Sequence, residues 1–340
     1  MNEKLKRVHS FLRTPKTGDG RMYFHPILMM YAAKNFGKTY TEFMTDYRVL
    51  VEANMRCLEM HDHDAVSVIS DPYRETSAFG AKITFNGDQS PKTEKLINSP
   101  ADVAKLVNPD VYACERTLDR IKGVHYYRKL LGNEFPVIGW IEGPLAEAAD
   151  LSGVSETMMN MFLEPDMVKD TQRICLNTAK DFAAAQIEAG ANIMGVGDAV
   201  CSQISLELYD EFCLPLHKEL FEFIHSQEAL VKLHICGDIT HLLPSLSKLE
   251  IDILDIDWMV DIAEAHRIMG PEIMICGNLD PVSIIMEGSK QLIKAKYIEI
   301  ESKIPRENWI MMGGCEISPV TPVENMNYLR KISLRDVVNQ

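Results

Sequence analysis

The sequence predicts an α/β fold, a closed (β/α)8 TIM barrel with a helical N-terminal extension. Three observations carry that expectation. Eight short apolar runs recur along the chain, each trailed by a helical pattern, as parallel β/α units require. No Pro/Gly/Ser-rich linker divides the 340 residues, so 1–340 reads as a single domain. Histidine, cysteine and carboxylate side chains gather where the runs end, which in such a barrel is the rim that carries chemistry. An open doubly wound sheet is the alternative that the count of eight disfavours.

Taken in order, residues 2–14 and 26–35 read as helices, with the first strand at 21–26 between them. Residues 39–61 form a long amphipathic pattern, with Phe43, Tyr47, Val51, Met55 and Leu58 on one side. The second strand, 65–70, closes at Asp71-Pro72, and 80–85 reads as an excursion of the hairpin type. Residues 101–132 are helical in two pieces, and the third strand is 136–143. One or two helices over 155–188 lead to the fourth strand at 192–198. Helix 205–227 precedes the fifth, in which Ala229, Leu230, Val231 and Leu233 run into His234-Ile235-Cys236. The sixth strand is 253–257, followed by helix 260–269; the seventh is 273–277, followed by helices near 281–303. Trp309-Ile310-Met311-Met312 runs into Gly313-Gly314-Cys315 as the eighth, and helix 321–334 closes the barrel.

Bulk properties narrow the function classes. A chain 46% hydrophobic and 25% charged is an ordinary globular protein. Its net charge of −14 argues against binding nucleic acid or an anionic membrane. The N-terminus lacks the apolar core of a signal peptide, and no run is long enough to cross a bilayer. Eight cysteines without an export signal are expected to be reduced thiols in the cytoplasm.

The chemistry concentrates at the fifth and eighth strand ends. Residues two apart on a strand point the same way, so His234 and Cys236 project side by side, half of a tetrahedral zinc site. Cys315 ends another apolar run, too far along the chain for a zinc finger. Three ligands on separate strand ends leave a fourth position open, the catalytic pattern. The same rim collects His25, Asp71, Glu142, Asp198, Asp257, Asn278 and Asp280. Glu142 and Asp198 read as pocket carboxylates with a catalytic role. His25, Asp71, Arg74 and Asn278 are candidates to touch a bound cofactor, and Arg74 is also a candidate anion partner. Strand-end carboxylates also cap the helices that follow, a reading at least as good for Asp71 and Asp280 beside their prolines. The cluster His61-Asp62-His63-Asp64 has metal-ligand composition but falls before the second strand, at the barrel's bottom, and is rejected as catalytic. No Gly-x-Gly-x-x-Gly, phosphate-binding loop or Gly-x-Ser-x-Gly elbow supports nucleotide or serine-hydrolase chemistry.

At His234-Ile-Cys236-Gly-Asp, Cys276-Gly-Asn-Leu-Asp-Pro281 and Gly313-Gly-Cys315-Glu-Ile-Ser-Pro319, the chain resembles the uroporphyrinogen decarboxylase superfamily. Within it, the chain is most similar to the zinc-dependent corrinoid methyltransferases of the methylcobamide:coenzyme M type. The resemblance implies His234, Cys236 and Cys315 as zinc ligands and Asp257 as an exchangeable fourth. It also implies methylcobalamin or another corrinoid as cofactor, carried on a corrinoid-binding partner protein, and a small-molecule methyl donor or acceptor. Coenzyme M, tetrahydrofolate, a methoxyarene and a methylamine-type donor all fit. Metal-independent uroporphyrinogen decarboxylation is the alternative. The decarboxylase's Arg-rich N-terminal signature is missing after the first strand, where Tyr23-Phe-His-Pro-Ile-Leu-Met-Met30 stands.

Overall fold

In the computed structural model, which describes residues 22–133 and 135–334, the strands curl into a (β/α)8 barrel. In chain order the strands are β1 (Tyr23–Phe24), β2 (Val66–Ser67), β3 (Ile83–Asn86), β4 (Gln89–Thr93), β5 (Val137–Glu142), β6 (Ile193–Gly197), β7 (Leu230–His234), β8 (Ile253–Asp255), β9 (Met274–Leu279) and β10 (Trp309–Gly313). Strands β3 and β4 form the hairpin excursion; the other eight make one parallel sheet in the order β1-β10-β9-β8-β7-β6-β5-β2. All eight barrel strands expected from the sequence are present. The predicted helix 2–14 lies outside the described residues.

The two ends of that sheet meet at a seam made partly by a side chain. The Asp64 N–H, just before β2, donates to the Phe24 carbonyl of β1 at 2.9 Å. Its carboxylate accepts from the Phe24 N–H at 2.9 Å. Each barrel strand is buried on both faces, which is why the strands read as continuous apolar runs. One apolar cluster lies between barrel and helices; a second, including Tyr23, Ile138, Trp140, Ile253, Cys276 and Met312, fills the barrel interior.

Where helices differ from the periodic pattern, a local residue explains it. The amphipathic run over 39–61 is two helices, Tyr40–Thr45 and Tyr47–His61, broken at Asp46. Asp46 is extended, and its carboxylate accepts from the Arg48 N–H at 2.8 Å as an N-cap; the apolar stripe continues across the break and hides it. Pro165 at the first helical position separates Val154–Leu163 from Pro165–Ala189. Helix Pro144–Ser152 is absent from the sequence reading because it is buried on nearly every side and so has no polar stripe.

At the barrel's bottom the His61–Asp64 cluster ties down the closing helix Val323–Ser333. Arg330 pairs with Asp62 at 2.7 Å and with Asp64 at 2.9 Å. His61 lies 3.1 Å from the Tyr31 hydroxyl and 2.8 Å from Asn327 Oδ1, and His63 Nδ1 lies 2.7 Å from the Ala65 carbonyl. Burial pushes His63 down to about 4.

Candidate metal centre

The parallel register sets which residues share a level at the barrel mouth. Gly197, His234, Asp255 and Cys276 lie opposite one another across β6, β7, β8 and β9. His234 is the last residue of β7, and its ring sits above Trp140, with centroids 6.0 Å apart. Two residues on, Cys236 follows in a loop that turns at Gly237. Gly237 has φ +94°, a conformation L side chains rarely adopt, and its N–H donates to Asp257 Oδ2 at 2.9 Å. Cys315 arrives from β10 through Gly314, where an added Cβ would meet the Trp258 nitrogen at 2.4 Å. Only glycine permits so close an approach of the two loops.

These paths bring three donor atoms together. One ligand atom each of His234, Cys236 and Cys315 lies within 4.8 Å of the others. Cys236 Sγ is 3.6 Å from Cys315 Sγ and 2.9 Å from His234 Nε2. A tetrahedral zinc with Zn–S near 2.3 Å and Zn–N near 2.0 Å needs edges of roughly 3.8 Å between sulfurs and roughly 3.6 Å from nitrogen to sulfur. The sulfur edge already matches; the nitrogen edge would have to open by under an ångström to admit the metal. Donor types, spacing and partial exposure of both thiols fit zinc with one open position.

Without a metal, the electrostatics favour the ligating form of Cys315 and the protonated forms of Cys236 and His234. The Cys236 S–H, burial and His234 together act on Cys315, and the two hydrogen-bonding partners win, holding its thiol down at about 4. Cys236 is pushed up by Cys315 and by burial. Burial works against a charged His234, but the Asp255 carboxylate and Cys315 outweigh it and raise the imidazole to about 9. Burial, aided by the Cys315 sulfur, lifts Glu316 next to it to about 7, although the Met30 N–H donates to it at 2.8 Å.

The other rim residues named from the sequence separate into distinct groups. Asp257 stands between the two cysteine loops, with its second oxygen accepting from the Trp258 N–H at 2.7 Å. Asp71, Arg74 and Glu142 join one buried network on the β2–β5 side. Arg74 is fully buried and pairs with Glu142 at 2.7 Å, and Arg116 pairs with Asp71 at 2.6 Å. Burial opposes the Asp71 charge, but Arg116 and Arg74 hold the carboxyl at about 2. Glu142 is pushed up, chiefly by burial. Asp198 is fully buried, accepting from Ala146 N–H at 2.8 Å and lying 2.9 Å from His217 Nε2. It forms a compact set with Cys201 and His217, but Tyr209 takes the other His217 nitrogen at 2.8 Å, so that grouping is hydrogen-bonded to itself and caps helix Pro144–Ser152. His25 points into the barrel interior, where burial, then Lys232 and His63, push it down to about 3. Asn278 donates to the Val260 carbonyl at 2.7 Å, and Asp280 caps the turn that follows β9.

Sequence reasoning passed over Lys232 and Asp255. Both are buried in the barrel interior, forming an ion pair, and Asp255 Oδ2 lies 3.2 Å from His234 Nδ1. The signal was available: a lysine inside an apolar strand, in phase with His234 two residues later, demands a buried partner.

Fold and donor set together define a (β/α)8 barrel with a Cys2His group at the C-terminal ends of its strands. The chain belongs to the uroporphyrinogen decarboxylase family, whose model, Uroporphyrinogen decarboxylase (URO-D), matches residues 24–333. The methylcobamide:CoM methyltransferase MtaA of Methanosarcina barkeri is 29% identical over 64% of this chain, which spans 62% of that relative's length. The uroporphyrinogen decarboxylase of Trichodesmium erythraeum is 26% identical over 90% of each chain. Among solved structures, a methyltransferase from Methanosarcina mazei superposes with a TM-score of 0.86 over 99% of both chains, at 20% identity. That last likeness is one of fold. No helix among the described residues is long and apolar enough to cross a membrane.

Proposed function

We propose that this protein is a zinc-dependent corrinoid methyltransferase, moving a methyl group between a corrinoid and a small thiol or another methyl donor or acceptor. The observation that carries the reading is the convergence of His234, Cys236 and Cys315 from two non-adjacent strand ends, with both sulfurs partly exposed. Relatives of similar identity include both methyltransferases and decarboxylases, so the donor set does the discriminating. Porphyrinogen decarboxylation has no use for two thiols and an imidazole in contact.

When bound, zinc supplies a Lewis-acid position that keeps a substrate thiol in its nucleophilic thiolate form at neutral pH. His234, Cys236 and Cys315 would hold it, and two thiolates with one neutral imidazole would make the centre formally neutral. Asp257 stands beside both cysteine loops but outside the three-donor group, its oxygens accepting from the Gly237 and Trp258 N–H groups, and would be the nearby carboxylate for an exchangeable fourth ligand. The corrinoid carries the methyl–cobalt chemistry; the protein supplies orientation. The loops after β8, β9 and β10 leave Trp258, Met259, Val282 and Val320 exposed, apolar groups suited to docking a corrinoid-binding protein over the mouth.

The test is metal analysis with an activity assay. The expectation is about one zinc per chain, lost in Cys236→Ser together with thiol-dependent demethylation of methylcobalamin. Intact activity in metal-free protein sinks the proposal. Chelator-insensitive formation of coproporphyrinogen from uroporphyrinogen would replace it with the decarboxylase reading.

A further inference from the structure

Beneath the three donors lies a buried ion pair that the reading above does not use. Lys232 and His234 are two residues apart on β7 and face the same way, into the barrel. Asp255 is the register partner of His234 on β8 and is wholly buried. One Asp255 oxygen pairs with Lys232 Nζ; the other lies 3.2 Å from His234 Nδ1. Among the described residues, His234 Nδ1 has no other hydrogen-bond partner, and the remaining group beside Asp255 is the Cys276 thiol. Lys232 is 1% exposed, and its other polar neighbour is the Cys276 sulfur at 3.8 Å.

We infer that Asp255 is the positioning residue of the metal centre, anchored by Lys232, and that it fixes the His234 ring so that Nε2 is the ligand atom. The inference rests on the metal-centre reading and adds residues to it. An imidazole has two nitrogens, and a ligating histidine needs the other one held to fix its tautomer and orientation. Asp255 takes Nδ1, which leaves Nε2 on the side of Cys236, 2.9 Å away. A lone buried carboxylate would be costly, and the lysine neutralises it. Such a pair is poor at stabilising a fold compared with apolar residues of the same volume. Its location directly under the ligand histidine is what a positioning role requires. Lys232 does not reach the donors; it acts through Asp255.

The experiment measures zinc affinity by competition with a chromophoric chelator, together with the visible spectrum of the cobalt(II)-loaded protein and thermal melts. Asp255→Asn keeps the shape but loses the charge, and Lys232→Met removes the anchor. Ile253→Ala, an interior residue of the same strand, supplies a destabilised control. Asp255→Asn is expected to bind zinc about 10- to 100-fold more weakly and to shift the cobalt bands. Lys232→Met should move both in the same direction by less, while Ile253→Ala lowers the melting temperature and leaves both unchanged. A folded Asp255→Asn protein with wild-type affinity and spectrum overturns the assignment. So does an equal loss in Ile253→Ala, which would make the effect one of stability alone. An unaltered Lys232→Met removes the anchoring role. Wild-type protein that binds no zinc overturns the metal-centre reading itself, a result distinct from equal binding across the series.

Discussion

The top and bottom of this barrel each carry a set of side chains that could hold a metal, and they differ in what surrounds them. At the bottom, His61, Asp62, His63 and Asp64 are consecutive, yet Arg330 takes both carboxylates, and neighbouring groups hold both nitrogens of His61 and Nδ1 of His63. At the top, His234, Cys236 and Cys315 come from distant parts of the chain, and their nearest polar partners are one another. Donor type alone does not make a site. A ligand set paired off by the protein is a structural clamp; one left facing itself, with access to solvent, is available for chemistry. The two regions also treat histidine oppositely: burial leaves His63 neutral at pH 7, whereas Asp255 and Cys315 overcome burial at His234.

The comparison can be broken most directly by removing donors from each end. Cys236→Ser or Cys315→Ser should weaken zinc binding by on the order of 3 kcal/mol, above a hundredfold, since one ligand carries roughly a quarter of the binding free energy of a zinc site. His63→Ala should leave zinc content unchanged in equilibrium dialysis followed by elemental analysis. Equal losses from both ends would erase the distinction drawn here.

Of comparable size is the clamp. Arg330→Ala removes the cation that pairs with the buried Asp64 carboxylate, and breaking a buried ion pair in this way costs about 3–5 kcal/mol. Denaturant unfolding should register that loss while the zinc content of the folded fraction stays at the wild-type value.

The two histidines give a pH test in metal-free protein. The folded His63 value lies below the ordinary one, so its contribution to stability is complete above about 6.5 and is lost as pH falls through about 4. The folded His234 value lies above the ordinary one, so its contribution is present below about 6.5 and is lost as pH rises through about 9. Histidine side-chain NMR should find one ring still neutral near pH 5 and another still charged near pH 8. Both rings titrating near 6.5 would contradict the opposed environments.

The smallest expected effect concerns Asp257. With both oxygens already accepting backbone N–H groups, Asp257→Asn should weaken zinc less than about tenfold, because an exchangeable ligand adds little to three fixed ones. A loss as large as that of Cys236→Ser would make it a permanent ligand.

Much of the barrel was legible in the sequence because a parallel strand buried on both faces leaves an unbroken apolar run, which no other local structure of that length imitates as well. The helix break at Asp46 was not, since an apolar stripe can pass through a capped junction without a change of phase. Helix Pro144–Ser152 escaped for the opposite reason, being enclosed on nearly all sides. Among rim residues, strand-end position named His234, Cys236 and Cys315, and it named Asp198, Asp71 and Glu142 equally well. Composition could not tell the two groups apart. The difference between them is partnership, and partners such as Arg116 for Asp71 or His217 for Asp198 come from other elements.

By itself, then, the sequence determined the order of strands and helices, the donor types and the rim on which they stand, because periodicity and strand alternation are local properties of the chain. The tertiary structure alone decided which of those donors meet and which are consumed by neighbours, and it supplied the Lys232–Asp255 pair under His234. Those outcomes depend on register and loop approach between segments far apart in sequence, and on the low-dielectric interior in which an unpaired polar group is too costly to leave alone.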